Sequence, residues 1–269
     1  MTGSAHYPKN FYRGRDDRSA HAAGKVLTQL AEILPPVHSV TDYGCGVGTW
    51  LAAARTIFDT TDIKGFEGPW LDPGMLVIDK SQFEHCDLAA SDRPSARASD
   101  LTLCLEVAEH LSAPIGDDLV RILAKTSDFI LFSAAIPNQG GKGHVNEQWP
   151  DYWTERFADR GFTSIAPFRH RLWNDADISP WYRQNLLLVA NRSRLDALTL
   201  DEAELRAPVL PVVHPEIFRA ALARQQAQID KLVTVTGAWR ALRRALRGKP
   251  YRVRPHRAQD PRDNKNASA

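Results

Sequence analysis

Cysteine is scarce in this chain, with Cys45, Cys86 and Cys104 the three among 269 residues. An odd, widely spaced set inside apolar stretches excludes a disulfide scaffold and points to a reducing compartment, read as the cytoplasm. Long apolar runs are missing as well. No stretch approaches the roughly 18 residues that cross a bilayer, and Met1 to Pro8 carry no apolar signal core, so no membrane span is expected. Nor does one charge dominate. With 34 Lys and Arg against 32 Asp and Glu, the chain is not the polycation of tight nonspecific nucleic-acid binding, which makes a nucleic-acid partner unlikely. The basic character is local: ten Lys or Arg lie between Gly237 and Ala269 beside only Asp260 and Asp263, leaving 24 basic against 30 acidic residues elsewhere.

What is present is an alternation of strand-like and helix-like segments. Val26, Leu27, Leu30, Ile33 and Leu34 form one helical face within Ser19 to Leu34, which Pro35 and Pro36 end. Strands are expected at Val37 to Tyr43, Ile63 to Phe66, Gln82 to Leu88, Leu101 to Val107, Phe129 to Ala134, Thr163 to Phe168 and Leu186 to Ala190. Helices are expected at Trp50 to Phe58, Ile115 to Ala124 and Trp149 to Arg160. The near-continuous apolar run Leu101 to Val107 marks a strand buried on both faces. The alternation predicts an α/β fold with a doubly wound, Rossmann-like sheet and ligands at the carboxyl ends of its strands. The expected organisation is an N-terminal lid and first helix (1–36), a main domain (37–195), a linker with a basic amphipathic helix (196–248) and a disordered tail (249–269). The apolar stripe of that C-terminal helix packs on the body or pairs two copies as a homodimer; membrane-surface or nucleic-acid contact are the alternatives.

The most informative segment is Ser39 to Leu51, where a short strand runs into Gly44, Gly46 and Gly48 and then into a helix. Glycines at every second position let the chain turn sharply and expose helix N–H groups to the polar end of a ligand. A dinucleotide fingerprint would place its third glycine at position 49, which is Thr49 here, so the spacing disfavours NAD. A glycine-rich turn with no ligand is the bland alternative for this loop alone.

The run from Asp42 to Gly48 resembles motif I of class I S-adenosylmethionine (SAM) dependent methyltransferases, whose fold has seven strands. The likeness extends over about residues 10–195. It is to a bacterial branch sharing Gly44 to Leu51, Leu105 to Leu111 and Gly143 to Pro150, many of whose members modify polysaccharides and glycosides. Tyr43 departs from the small aliphatic residue common there. The resemblance implies SAM held by Asp42, Gly44, Cys45, Gly46 and Gly48, with Glu67 accepting the ribose hydroxyls and Asp87, beside Leu88, receiving the adenine amino group. A carboxylate suits both tasks because it accepts two donors at once. Glu106 is expected at the cofactor as well, and Arg18 opposite its carboxylate unless it is merely solvated.

On the acceptor side, Glu106, Glu109 and His110 would share one helix face at i, i+3 and i+4 if a helix begins there. That string resembles the metal motif of small-RNA 3′-terminal ribose 2′-O-methyltransferases, completed by a later histidine whose place His144 takes. A divalent cation, Mg2+ for example, held by Glu106, Glu109, His110 and His144 would acidify a sugar hydroxyl. Alternatively His144 alone is the general base, since imidazole titrates near neutrality. The bland alternative is a helix start with acids at its N-terminus. Gly140, Gly141 and Gly143 would let the preceding loop close over substrate. Trp149, Tyr152, Trp153, Trp173, Trp181 and Tyr182 are available to stack on sugar rings or to pack in the core. The expected activity is SAM-dependent O-methylation of a sugar or oligosaccharide hydroxyl, catalysed by His144 with Glu106. The alternatives are methylation of an RNA 3′ end or a small hydroxylated metabolite, and a SAM-binding subunit without catalysis.

Overall fold

The computed structural model describes residues 16–90 and 96–247. Helix α1 (Asp16–Ile33) leads into β1 (Ser39–Tyr43), α2 (Thr49–Ile57), β2 (Asp62–Glu67) and β3 (Phe83–His85). The chain continues through β4 (Leu101–Leu105), α3 (Ala113–Thr126), β5 (Phe129–Ser133), α4 (Pro150–Ala158), β6 (Phe162–Ile165), α5 (Pro167–Leu172), α6 (Pro180–Asn185) and β7 (Leu187–Asn191). Helices α7 (Glu202–Arg206), α8 (Pro215–Val233) and α9 (Val235–Leu246) follow. The seven strands form one sheet in the order β3-β2-β1-β4-β5-β7-β6. All neighbours are parallel except the β5–β7 and β6–β7 pairs, which are antiparallel.

The period of two along the central strands divides the core. Leu101, Leu103 and Leu105 of β4, Phe129 and Leu131 of β5 and Leu188 and Ala190 of β7 pack with α1, α2 and α5. Cys104, Ile130, Phe132, Leu187 and Val189 pack with Leu119, Val120 and Leu123 of α3 and Trp153 and Phe157 of α4. Burial on both sides explains the unbroken apolar runs in β4 and β5. Each fully buried Leu, Ile or Phe contributes roughly 1.5–3 kcal/mol, so the two layers outweigh any single polar contact. The three cysteines are free thiols.

Several boundaries differ from the sequence reading. The expected strand Leu101–Val107 stops at Leu105, because Glu106 turns the chain with φ 55°. Gln82 to Leu88 yields only the short β3, leaving Asp87 in the turn that follows. Thr163 to Phe168 is strand only to Ile165, since Pro167 starts α5. The single C-terminal helix is two, divided at Thr234, which is extended (φ −67°, ψ 147°). Leu195, Ala197, Leu200 and Leu205 pack against the first core layer. The expected lid up to Arg15 and the expected tail from Lys249 lie outside the described residues. No helix among the described residues is long and apolar enough to cross a membrane.

Candidate functional site

The parallel strands β1, β2 and β4 end side by side, so the loops after them share one edge of the sheet. After β1 the chain passes Gly44 (φ 87°), Gly46 (φ 55°) and Gly48 (φ 89°), left-handed backbone that L side chains rarely adopt. A Cβ on Gly44 would stand 2.3 Å from Val107 Cγ2, and one on Gly48 would stand 2.8 Å from Ile78 Cγ1. These glycines therefore let the β1 loop lie against the segments after β4 and before β3. Gly48 caps α2 with no side-chain acceptor, which leaves the first N–H groups of that helix for a ligand. Cys45 is buried.

Glu67, the last residue of β2, gathers the loop. Its Oε2 accepts the Gly46 N–H at 2.9 Å and its Oε1 accepts the Gly68 N–H at 2.8 Å. Burial pushes its carboxyl upward, and hydrogen bonds from the Gly68 and Gly46 amides and from Trp70 only partly reverse this. Asp42 is buried within β1, and desolvation, with Glu67 nearby, holds its carboxyl well above the usual range. Asp87 lies after β3 and accepts the Ala89 N–H at 2.9 Å, while Leu88 is buried beside it in the second core layer. Arg18 is exposed in the first turn of α1. A cradle of N–H groups with two acidic side chains at neighbouring strand ends fits a nucleoside carrying a charged tail.

The acceptor side differs from the expectation in one respect. Glu106, Glu109 and His110 do not share a helix face. Glu106 sits in left-handed backbone, Ala108–His110 form a single 3-10 turn, and α3 starts only at Ala113. Glu106 Oε2 instead accepts Gln139 Nε2 at 2.9 Å and its Oε1 accepts Asn185 Nδ2 at 3.1 Å. Asn185 also donates to Gln139 Oε1 at 2.9 Å, which closes a three-residue clamp across the ends of β4 and β5 and the start of β7. Burial raises the Glu106 carboxyl, and these partners oppose the shift.

Glu109, His110 and His144 do come together, with one ligand atom from each lying within 4.8 Å of the others. Glu109 is wholly buried, and neither of its carboxylate oxygens makes a hydrogen bond of normal geometry. Desolvation, with Glu106 beside it, holds its carboxyl well above the usual range. Of the four residues expected as a ligand set, Glu109, His110 and His144 cluster, while the Glu106 oxygens accept the amides of Gln139 and Asn185.

His144 is held from two directions. Its Nδ1–H donates to Glu147 Oε1 at 2.8 Å, and its Nε2 lies 4.0 Å from Glu109 Oε1. Glu147 also accepts the N–H groups of Asn138 at 2.8 Å and Gly140 at 2.9 Å, so one carboxylate shapes the loop and orients the ring. The loop is tied to β4 through Glu109 O, which accepts the Val145 and Asn146 amides. A Cβ on Gly141 would fall 2.0 Å from His144 Nε2, so the imidazole lies directly on glycine backbone.

Sequence reasoning missed Gln139, Asn185, Glu147 and Arg224. Arg224, from α8, donates to Asn138 O at 2.8 Å and Gln139 O at 2.9 Å, and so braces the loop from outside. Helix α8 is seated by buried His214, whose Nδ1 accepts the Glu216 N–H, and by an Arg183–Glu216 ion pair at 2.7 Å. Glu147 stands three residues after His144, a signal that spacing carried; Asn185 is 79 residues from Glu106, and nothing local marks that pairing. Of the aromatic candidates, Trp153 is buried against Phe132, Tyr182 meets Trp50 edge-on and Trp173 packs on His214, whereas Trp149 is exposed. A separate cavity of about 380 Å³, lined by Ala166, Arg169, His170, Trp173 and Leu210 among others, shares no residue with this site.

A scan against protein families finds no match, and a search of curated proteins finds none. Solved structures do match. The sugar N-methyltransferase KedS8 from Streptoalloteichus sp ATCC 53650 is 17% identical, covering 71% of this chain and 96% of its own, with a TM-score of 0.50. DesVI of Streptomyces venezuelae is 15% identical over 67% of this chain and 95% of its own, with a TM-score of 0.48. Magnesium protoporphyrin IX methyltransferase (ChlM) from Synechocystis PCC 6803, solved with SAM, is 18% identical over 71% and 86%, with a TM-score of 0.45. The strand order and the likeness to KedS8 define the class I methyltransferase fold.

Proposed function

We propose that the chain is a SAM-dependent O-methyltransferase acting on a hydroxyl of a sugar or oligosaccharide, with His144 as general base. The observation that carries this reading is the His144–Glu147 pair, a nearly buried imidazole held by a carboxylate on Nδ1 at the sheet edge that also bears the glycine loop. Bound SAM would supply an electrophilic methyl group. Glu67, Asp87 and the N–H groups at the start of α2 would hold it, and Glu106 with its clamp would shape the floor between donor and acceptor. An alcohol is too weak an acid to ionise unaided at neutral pH, and Nε2 of His144 would take its proton. Exposed Trp149 offers a face for a sugar ring, and the printed name of KedS8 places sugar chemistry on this fold. The buried free thiols Cys45 and Cys104 fit a reducing compartment such as the cytoplasm.

A second reading adds a divalent cation at Glu109, His110 and His144. It is favoured by the orphaned Glu109 carboxylate. Two imidazoles with one carboxylate suit Mn2+, Fe2+ or Zn2+ better than Mg2+, which prefers oxygen ligands. Such an ion would lower the pKa of a coordinated hydroxyl.

The test is transfer of labelled methyl from SAM to oligosaccharides, short RNA and phenolic metabolites, with and without a chelator. His144→Ala is expected to reduce turnover on the true acceptor by about 10²–10⁴-fold while SAM affinity holds. Full turnover by that variant would refute the base assignment. Chelator loss reversed by Mn2+ would select the metal route. Transfer to RNA but not to any saccharide would move the acceptor class.

A further inference from the structure

Trp239, Leu242 and Leu246 recur at i, i+3 and i+7 along α9, and their side chains are exposed at 60, 49 and 79%. At 3.6 residues per turn they occupy an arc of about 60°, and Arg240, Arg243 and Arg244 fill an adjoining arc of about 100°, with Arg247 following the last helical residue. No acid occurs between Asp230 and Asp260, while that interval holds nine cations: Lys231, the three arginines of the helix, and Arg247, Lys249, Arg252, Arg254 and Arg257 beyond it. Large apolar side chains and unopposed cations therefore lie side by side on one helix.

We propose that α9 docks the protein on an anionic lipid surface. The helix lies in the plane of the headgroups, with Trp239, Leu242 and Leu246 in the acyl boundary and the arginines on lipid phosphates. Its 12 residues span only about 18 Å, too little to cross a bilayer but enough to lie along it. Charge argues against a second copy as the occupant. Packing two α9 apolar arcs together would bring both arginine arcs alongside with no carboxylate in either helix to offset them. Nucleic acid would satisfy the arginines and leave three large apolar side chains in water. A lipid boundary satisfies both arcs.

The experiment uses the full chain and sedimentation with vesicles of phosphatidylcholine alone or mixed with phosphatidylglycerol. Binding is expected to the mixed vesicles only, to weaken with salt, and to fall about tenfold or more in the triple variant Trp239→Ser, Leu242→Ser, Leu246→Ser. None of those residues belongs to the glycine loop or the His144 cluster, so SAM affinity of the variant should match that of the parent and report its folding. Undiminished binding by the triple variant would reduce the contact to charge alone and overturn the proposal. So would failure to sediment with the anionic vesicles, displacement from them by short RNA at equal phosphate, or a parent dimer that the three serines convert to monomer.

Discussion

At the ends of β1 and β2, polar recognition is made by backbone: the Gly46 and Gly68 amides meet Glu67, and α2 opens with free N–H groups behind Gly48. At the ends of β4 and β5 it is made by side chains, with Glu106 clamped by Gln139 and Asn185, and His144 held by Glu147. The first arrangement asks for absent side chains, and the second for particular ones. In the proposed function the first is the donor half and the second the acceptor half, and the two should fail differently. The donor half resists change because a Cβ on Gly44 collides with Val107 and one on Gly48 collides with Ile78. The acceptor half contains Glu109, a wholly buried carboxyl whose oxygens make no hydrogen bond of normal geometry, which costs stability.

Gly44→Ala is the sharpest attack on the donor half. A methyl 2.3 Å from Val107 Cγ2 in left-handed backbone should destabilise the chain by roughly 2–4 kcal/mol in urea unfolding. A loss below about 0.5 kcal/mol would show that the loop yields more easily than its packing implies. Gly141→Ala is the matched change in the acceptor half, displacing the imidazole it supports. Turnover should fall about 10–100-fold with SAM affinity intact, and paired loss of both would erase the distinction between the halves.

Glu67→Gln comes next, with SAM affinity expected to fall about tenfold in calorimetry. The pH dependence follows from the direction of its shift. In the proposed function Glu67 accepts ribose hydroxyls, more strongly when ionised, and burial raises its pKa. Affinity of the parent should therefore decline as pH falls through that raised value, at milder acidity than an ordinary glutamate requires. The Gln variant should lack this component, and an unchanged pH profile would remove Glu67 from the donor site. Arg224→Ala should have the smallest effect, a rise of about two- to fivefold in acceptor KM from two lost hydrogen bonds to the loop, with SAM affinity unmoved. A change in SAM affinity instead would place α8 on the donor side.

The glycine loop was legible because its signals are local. Alternating glycines, an acid at the end of β2 and a following helix lie within short windows, and steric rules for backbone need no distant partner. The apolar runs of β4 and β5 likewise announced burial on both faces. The acceptor half was only half legible. Glu109, His110 and His144 were named from their order in the chain, but Glu106 was placed with them on a helix that its positive φ prevents.

From sequence alone came the sheet, its glycine loop and the list of titratable residues at strand ends, since periodicity and backbone sterics act between near neighbours. Tertiary structure alone decided which of those residues meet. Asn185 and Gln139 take Glu106 away from the histidines, Glu147 takes His144, and α8 lays Arg224 over their loop, because hydrogen bonds between side chains distant in sequence depend on where the packed sheet and helices bring them.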